Sequence, residues 1–281
     1  MNISGKRALV LGGIKGIGKA IALYLKRSGA RVAVTHWDWE PDLPDLLRDL
    51  EAINGEHLTV RSNLLNTGDI AHLISQTVDR FGGIDILINN IERGGWPVVH
   101  GPYVKDQWDL EMATTLRAKQ WVFSEAFPHL KASQEAVVIN FSSISALVGR
   151  SGPASFIFNE GYAAASRGCE ILTQTWARMG APGVRVNEIM LGIMDTRHGP
   201  GTRGWELLTP DQRQAVLDHT LLNRTGSLED VVSAVRYLIE DANFMTGSTL
   251  RLDGGYILGA DRTAPIPIGV DPPTRLSPSV A

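Results

Sequence analysis

Arg7-Ala8-Leu9-Val10-Leu11-Gly12-Gly13-Ile14-Lys15-Gly16-Ile17-Gly18 is the stretch that decides the fold. Residues 7–11 are an apolar run of strand length, and Ile17, Ile21 and Leu25 continue beyond the turn at helical spacing until Gly29. Glycines at 12, 16 and 18 let the backbone bend tightly and approach a pyrophosphate, whose charge is met by the N-terminus of the helix. Strand, glycine turn and helix in this order predict a bound dinucleotide.

The same alternation runs on along the chain. A second strand is predicted at 31–35, and further strands at 57–61, 84–89, 136–141, 184–189 and 248–252, with helix-length amphipathic segments between them. About seven strands alternating with helices make an α/β fold, a doubly wound parallel sheet, as a single domain over residues 1–260. Residues 261–281 carry Pro265, Pro267, Pro272, Pro273 and Pro278, which exclude a helix and predict an extended arm or a disordered end.

Composition narrows the function. The 27 basic and 30 acidic residues give a net charge of −3, so nothing draws the chain to nucleic acid or to an anionic membrane. Cys169 is the only cysteine, which excludes an intramolecular disulfide and a multi-cysteine metal site, and the seven histidines form no ligand cluster. No apolar stretch approaches the ~18 residues of a membrane span, and no leader precedes the first strand; a cytoplasmic protein is expected. A G-x-S-x-G elbow is missing, so serine-hydrolase chemistry has no support.

Downstream of the turn stand Asn89-Asn90, Ser143, Tyr162, Asn187, Gly192, Thr196 and Asp253-Gly254-Gly255. This ordered series, over residues 5 to 258, resembles the short-chain dehydrogenase/reductase family. The resemblance implies a Rossmann-type fold, a nicotinamide cofactor, a small-molecule carbonyl or hydroxyl substrate, and a homotetramer or homodimer. It assigns cofactor contacts to Gly12, Lys15, Gly16, Ile17, Gly18, His36, Asn63, Leu64, Asn90, Gly192 and Thr196. NAD-preferring members carry a carboxylate at the end of the second strand, where this chain has His36. Lys15 and His36 would instead meet a 2′-phosphate, which favours NADP over NAD. The alternative keeps Lys15 in solvent and lets Asp38 reach the ribose, giving NAD.

In the family a serine orients the substrate, a tyrosine exchanges its proton, a lysine one turn later lowers the tyrosine pKa, and an asparagine completes a water relay. The resemblance places the serine at Ser143 and the tyrosine at Tyr162. The lysine position is Ser166 and the asparagine position is Thr115. A tyrosine without a nearby cation titrates near ~10, so base-requiring alcohol oxidation suffers more than acid-requiring carbonyl reduction. Arg167 is no substitute, lying about 140° round the helix from Tyr162. Lys119 follows Thr115 by four residues on one helical face and is read as a solvated or interface lysine.

Other departures border the same region. Ile91-Glu92 replaces the family's Ala-Gly, and Leu191 stands before Gly192 in place of proline. Residues 150–161 add a loop carrying Phe156, Ile157 and Phe158, expected beside the substrate cleft. Residues 194–222, with Arg197, His198, Arg203 and Trp205, correspond to the family's substrate lid. The leading expectation is a carbonyl reductase resembling 3-oxoacyl carrier-protein reductases. The alternatives are a catalytically silent dinucleotide- or metabolite-binding protein, or a non-redox lyase, whose known relatives have lost the glycine turn.

Overall fold

The computed structural model describes residues 1–37, 39–91, 105–196, 205 and 208–259, with the side chains at 106 and 107 left aside. Seven strands form one parallel sheet: β1 (Arg7–Val10), β2 (Arg31–His36), β3 (His57–Arg61), β4 (Ile86–Asn89), β5 (Ala136–Ser143), β6 (Val184–Leu191) and β7 (Thr249–Leu252). Their order is β3-β2-β1-β4-β5-β6-β7, so the chain reverses its direction of travel between β1 and β4. That reversal opens a crevice at the carboxyl ends of the strands, where ligands of such sheets bind.

Alternation along each strand feeds two apolar layers. Val10, Val34, Ile139, Phe141 and Ile189 pack with Ile21 and Leu25 of α1 (Gly16–Arg27) and with Val231 and Val235 of the helix Leu228–Arg236. Leu9, Leu11, Leu87, Val138 and Val186 face the other way. They meet α3 (Thr67–Phe81), α5 (Ala118–Ala132) and α7 (Glu160–Gly180), where the Phe123 and Trp176 rings stack 4.1 Å apart. The short helix α2 (Leu43–Glu51) seats Leu46 and Leu50 in the first layer. A helix α4 (Lys105–Glu111) leads into α5 through a π-helical segment, Met112–Arg117, which carries Thr115. Among the described residues no helix is long and apolar enough to cross a membrane.

The expected strands are all found, with shifted ends. β4 starts two residues later than predicted because Asp85 turns to other partners, accepting from the Arg7 backbone N–H at 2.8 Å and from Ser133 Oγ at 2.7 Å. β5 runs two residues further, because Ser142 and Ser143 pair with Met190 and Leu191 although their side chains are polar. The proline-rich segment 261–281 lies outside the described residues.

One partly buried pair is expected to make stability depend on pH in the acid range. Lys26 is 2% exposed and its Nζ lies 2.7 Å from His57 Nδ1, so the imidazole must accept and hence be neutral. Burial, then the Lys26 charge, holds His57 below the ordinary histidine value of 6.5. Below that value the unfolded chain takes up a proton that the folded site resists, so stability present above it is lost as pH falls. The thermal midpoint should drop between about pH 7.5 and about pH 5, and by less in His57→Gln, whose amide oxygen accepts without titrating. An equal drop in both proteins would assign the acid sensitivity elsewhere.

Candidate active site

The glycine turn closes on itself. Gly12 adopts φ +64, and a Cβ there would lie 2.5 Å from the Asn90 carbonyl oxygen; at Gly18 it would lie 2.2 Å from the Gly12 oxygen. Asn90 Nδ2 donates to that oxygen at 3.2 Å, and the Gly12 N–H donates to Thr35 Oγ1 at 3.0 Å. By contrast, a Cβ at Gly16 would meet nothing within 4 Å, so the backbone at the start of α1 is bare. Lys15 makes no side-chain cap and the first turn of α1 holds no acid, leaving its N–H groups to an incoming anion. This cradle fits the pyrophosphate of a dinucleotide.

Beyond the end of β2 the chain gathers rings and charges. Lys15 Nζ stands 3.1 Å from the centre of the Trp39 ring and 3.6 Å from Asp42 Oδ2. Arg61 pairs in register with His36, donates to Glu40 Oε1 at 2.9 Å, and covers the Trp37 ring at 4.2 Å. His36 is buried; its Nδ1 lies 3.7 Å from Glu40 Oε1, too far for a hydrogen bond. Burial lowers the imidazole, Glu40 opposing the effect and Arg61 adding to it, so the neutral form of His36 is favoured. Arg61, Trp37 and Trp39 were not legible as a group, since only the pairing of β2 with β3 brings Arg61 here. Asn63 Oδ1 accepts from the Leu65 N–H at 3.1 Å, and Leu64 is buried in the second apolar layer. Asp38 and Glu92 lie outside the described residues.

At the other end of the crevice, Ser143 closes β5 and Tyr162 stands in the first turn of α7. Ser143 Oγ accepts from the Ser145 N–H at 3.1 Å. Asn159 Oδ1 caps α7 by accepting from the Tyr162 N–H at 2.8 Å, while its Nδ2 donates to the buried Glu111 at 2.6 Å. Tyr162 is 3% exposed, enclosed with Ile144, Ile157, Phe158, Met190 and Trp205. Ile157 and Phe158 of the added loop thus pack in one cluster with Tyr162. The loop is anchored by the Ala154 N–H, which donates to Tyr256 Oη at 2.8 Å. A Cβ at Gly192 would sit 2.6 Å from Asp253 Cα, and the Thr196 N–H donates to the Met194 oxygen at 2.8 Å. Arg197, His198 and Arg203 lie outside the described residues.

Both replaced positions are buried where the π-helical segment packs near α7. Ser166 and Thr115 are 0% exposed, and neither hydroxyl has a hydrogen-bond partner among the described residues. Arg167 is exposed and pairs with Glu170, as its position on the helix predicts. Lys119 corrects the expectation of a solvated or interface lysine. It is 1% exposed, donates to the Phe141 oxygen at 2.5 Å, and lies 3.7 Å from Cys169 Sγ. The face it shares with Thr115 is the packed face. Glu188, fully buried on β6, accepts from Ser142 Oγ and, at 2.7 Å, from Thr249 Oγ1; burial raises its carboxyl above the ordinary value. The interruption of an apolar strand by Glu188 was the signal for this second buried ionisable group. No cluster of metal ligands occurs among the described residues.

A parallel sheet with a glycine cradle at its reversal, a serine closing β5 and a tyrosine opening α7 defines a Rossmann-type oxidoreductase scaffold. The chain belongs to the short-chain dehydrogenase/reductase family: residues 12–257 match the family model described as enoyl-(acyl carrier protein) reductase. It is 28% identical to a 3-oxoacyl-(acyl-carrier-protein) reductase of Thermotoga maritima over 92% of this chain and 100% of the relative. It is 31% identical to the enzyme of that name from Vibrio cholerae, over 92% and 100% of the two chains. Among solved structures it is similar to a putative short-chain alcohol dehydrogenase of Sinorhizobium meliloti, with TM-score 0.80 and 26% identity over 91% of this chain and 98% of that one. A short chain dehydrogenase of Burkholderia cenocepacia, in complex with NADP, matches with TM-score 0.79 and 25% identity over 92% and 100%.

Proposed function

We propose that this chain is an NADP(H)-dependent carbonyl reductase in which Tyr162 donates the proton and Ser143 orients the substrate. The observation that carries this reading is the bare cradle at Gly16, joined through one sheet to a serine at the end of β5 and a tyrosine in the first turn of α7. When bound, the reduced nicotinamide supplies the hydride. The protein's own part is then to hold the carbonyl oxygen between the Ser143 and Tyr162 hydroxyls and to give it a proton as negative charge develops. Reduction asks for a neutral phenol, which Tyr162 supplies without a lysine at 166. The apolar wall of Ile144, Ile157, Phe158 and Met190 excludes water from that transfer. The reading includes a small-molecule substrate, a cytoplasmic setting and a homotetramer or homodimer; exposed Ile171 and Met179 on α7 support the last.

NADP rather than NAD is supported by Lys15, whose ammonium, among the described residues, meets the Trp39 ring and the half-exposed Asp42 carboxylate and can be offered to a 2′-phosphate. Lys15→Ala should weaken NADPH by roughly 1–2 kcal/mol more than NADH in calorimetric titration. Equal losses for both would transfer the preference to another group or to NAD.

The functional reading is tested by NADPH consumption against a panel of ketones, aldehydes and 3-oxoacyl thioesters. The second reading, a silent dinucleotide- or metabolite-binding protein, is favoured by the enclosure of Tyr162 and the two unpartnered hydroxyls. Tight cofactor binding with no consumption across the panel would select it.

A further inference from the structure

Lys119 has no place in the reading above, yet it is the costliest residue in the interface that should carry the proton path. An ammonium is expensive to take out of water, and an apolar side chain would fill the same volume at less cost. Its location suggests what compensates. Phe141, whose oxygen accepts from Lys119, precedes Ser143 by two residues, about 7 Å along the strand. Cys169, 3.7 Å from the ammonium, follows Ser166 by three residues and Tyr162 by seven, so all three lie along one side of α7. Cys169 Sγ also donates to the Thr115 oxygen at 3.5 Å, which joins the three elements around one point. The ammonium is therefore held between the strand that ends in Ser143 and the residue of α7 one turn past Ser166 and two turns, about 10 Å, past Tyr162.

We infer that Lys119 is the positioning cation of this site: from the turn after Thr115, it pins the β5 backbone two residues before Ser143 and supplies α7 with a positive charge about two turns from Tyr162, in place of a side chain at 166. Among the described residues the acid that feels it most is Glu188 on β6: burial pushes its carboxyl up, while its bonds from Ser142 and Thr249 and the Lys119 charge oppose that rise. From α7 come the thiol of Cys169 and Glu170, the latter paired with Arg167. β5 brings only the polar, non-titrating Asn140, Ser142 and Ser143 and the Phe141 carbonyl, and the inward face of α3 is Ile70, Leu73, Ile74, Thr77 and Phe81. On the Tyr162 side, Glu111 is bonded to Asn159.

The inference rests on the reductase reading for its purpose, but its first readout is the phenol itself. Tyrosinate absorbance of the intact chain, minus that of Tyr162→Phe, isolates one of the five tyrosines. Lys119→Met should raise the Tyr162 midpoint by about one pH unit, since the phenolate loses its cation. Lys119→Arg should hold it near the parent value, and Glu188→Gln, which removes an acid facing the cation, should not raise it. Where the single change fails to fold, Lys119→Met/Glu188→Gln carries the same measurement. An unmoved midpoint in folded Lys119→Met overturns the inference, as does an equal rise in Lys119→Arg. Carbonyl reduction is followed in parallel. A moving midpoint in a chain that reduces nothing keeps Lys119 and discards the reductase; reduction with a pH profile indifferent to Lys119 does the reverse.

Discussion

Tyr162→Phe is expected to lower carbonyl reduction by roughly two to four orders of magnitude while leaving NADPH affinity close to the parent value. Only the hydroxyl is removed, so the ring keeps its contacts with Ile144, Phe158 and Met190 and the fold should not suffer. The cradle around Gly12 and Gly18 lies at the opposite end of the crevice and is untouched. Rate and affinity therefore separate: kcat falls, and the titration of cofactor does not. Stopped-flow reduction with a saturating ketone measures the first, and fluorescence titration of NADPH the second. Retention of more than about a tenth of the rate would mean that another acid, or water, protonates the alkoxide, and would remove Tyr162 from the chemistry.

How much of this was written in the sequence differs between backbone and charge. β1 and its glycine turn were readable because strand, turn and helix each have a local signature and all three agree. The ends of β5 and β6 were not, because a ladder can continue through Ser142 and Ser143 when its neighbour supplies the matching carbonyls, and no window of one strand contains that neighbour. Lys119 failed for a related reason. A lysine at helical spacing from Thr115 belongs to solvent on composition alone, and only the approach of β5 and α7 turns that face inward. Glu188, Glu111 and Arg61 are likewise residues whose surroundings come from distant segments. The site's frame was local and legible; its electrostatics were not.

That division bears on why two hydroxyls at the lysine and asparagine positions can coexist with a working fold. Thr115 and Ser166 are small, and their unpartnered oxygens each carry a desolvation cost of about 1–3 kcal/mol. A lysine added at 166 would relieve one of them but bring a second ammonium near the first. Ser166 and Cys169 are about 5–6 Å apart on one helical face, and Lys119 already touches Cys169. Two like charges about 6 Å apart repel by roughly 3 kcal/mol at an effective dielectric of about 20. The two arrangements of positive charge are thus alternatives.

Restoring the family's arrangement should therefore depend on what stands at 119. Ser166→Lys with Thr115→Asn puts an ammonium one turn below Tyr162, where it lowers the tyrosine pKa, each unit being worth about 1.4 kcal/mol to the phenolate. Alcohol oxidation, which needs that phenolate as a base, should gain more than carbonyl reduction, and the ratio of the two rates at fixed pH should rise by about tenfold for each unit. With Lys119 in place the double variant should melt several degrees below the parent, because two ammonium groups share one buried interface. Adding Lys119→Met should recover the melting temperature and keep the gain in oxidation. The thermal midpoints and the oxidation-to-reduction ratios of parent, double and triple variants decide the matter together. A double variant as stable as the parent would place the two charges further apart than the shared contact at Cys169 implies. An oxidation ratio that never rises, with cofactor still bound, would mean that Tyr162 no longer serves as the base, and would turn the weight of argument to a protein that binds its dinucleotide without using it.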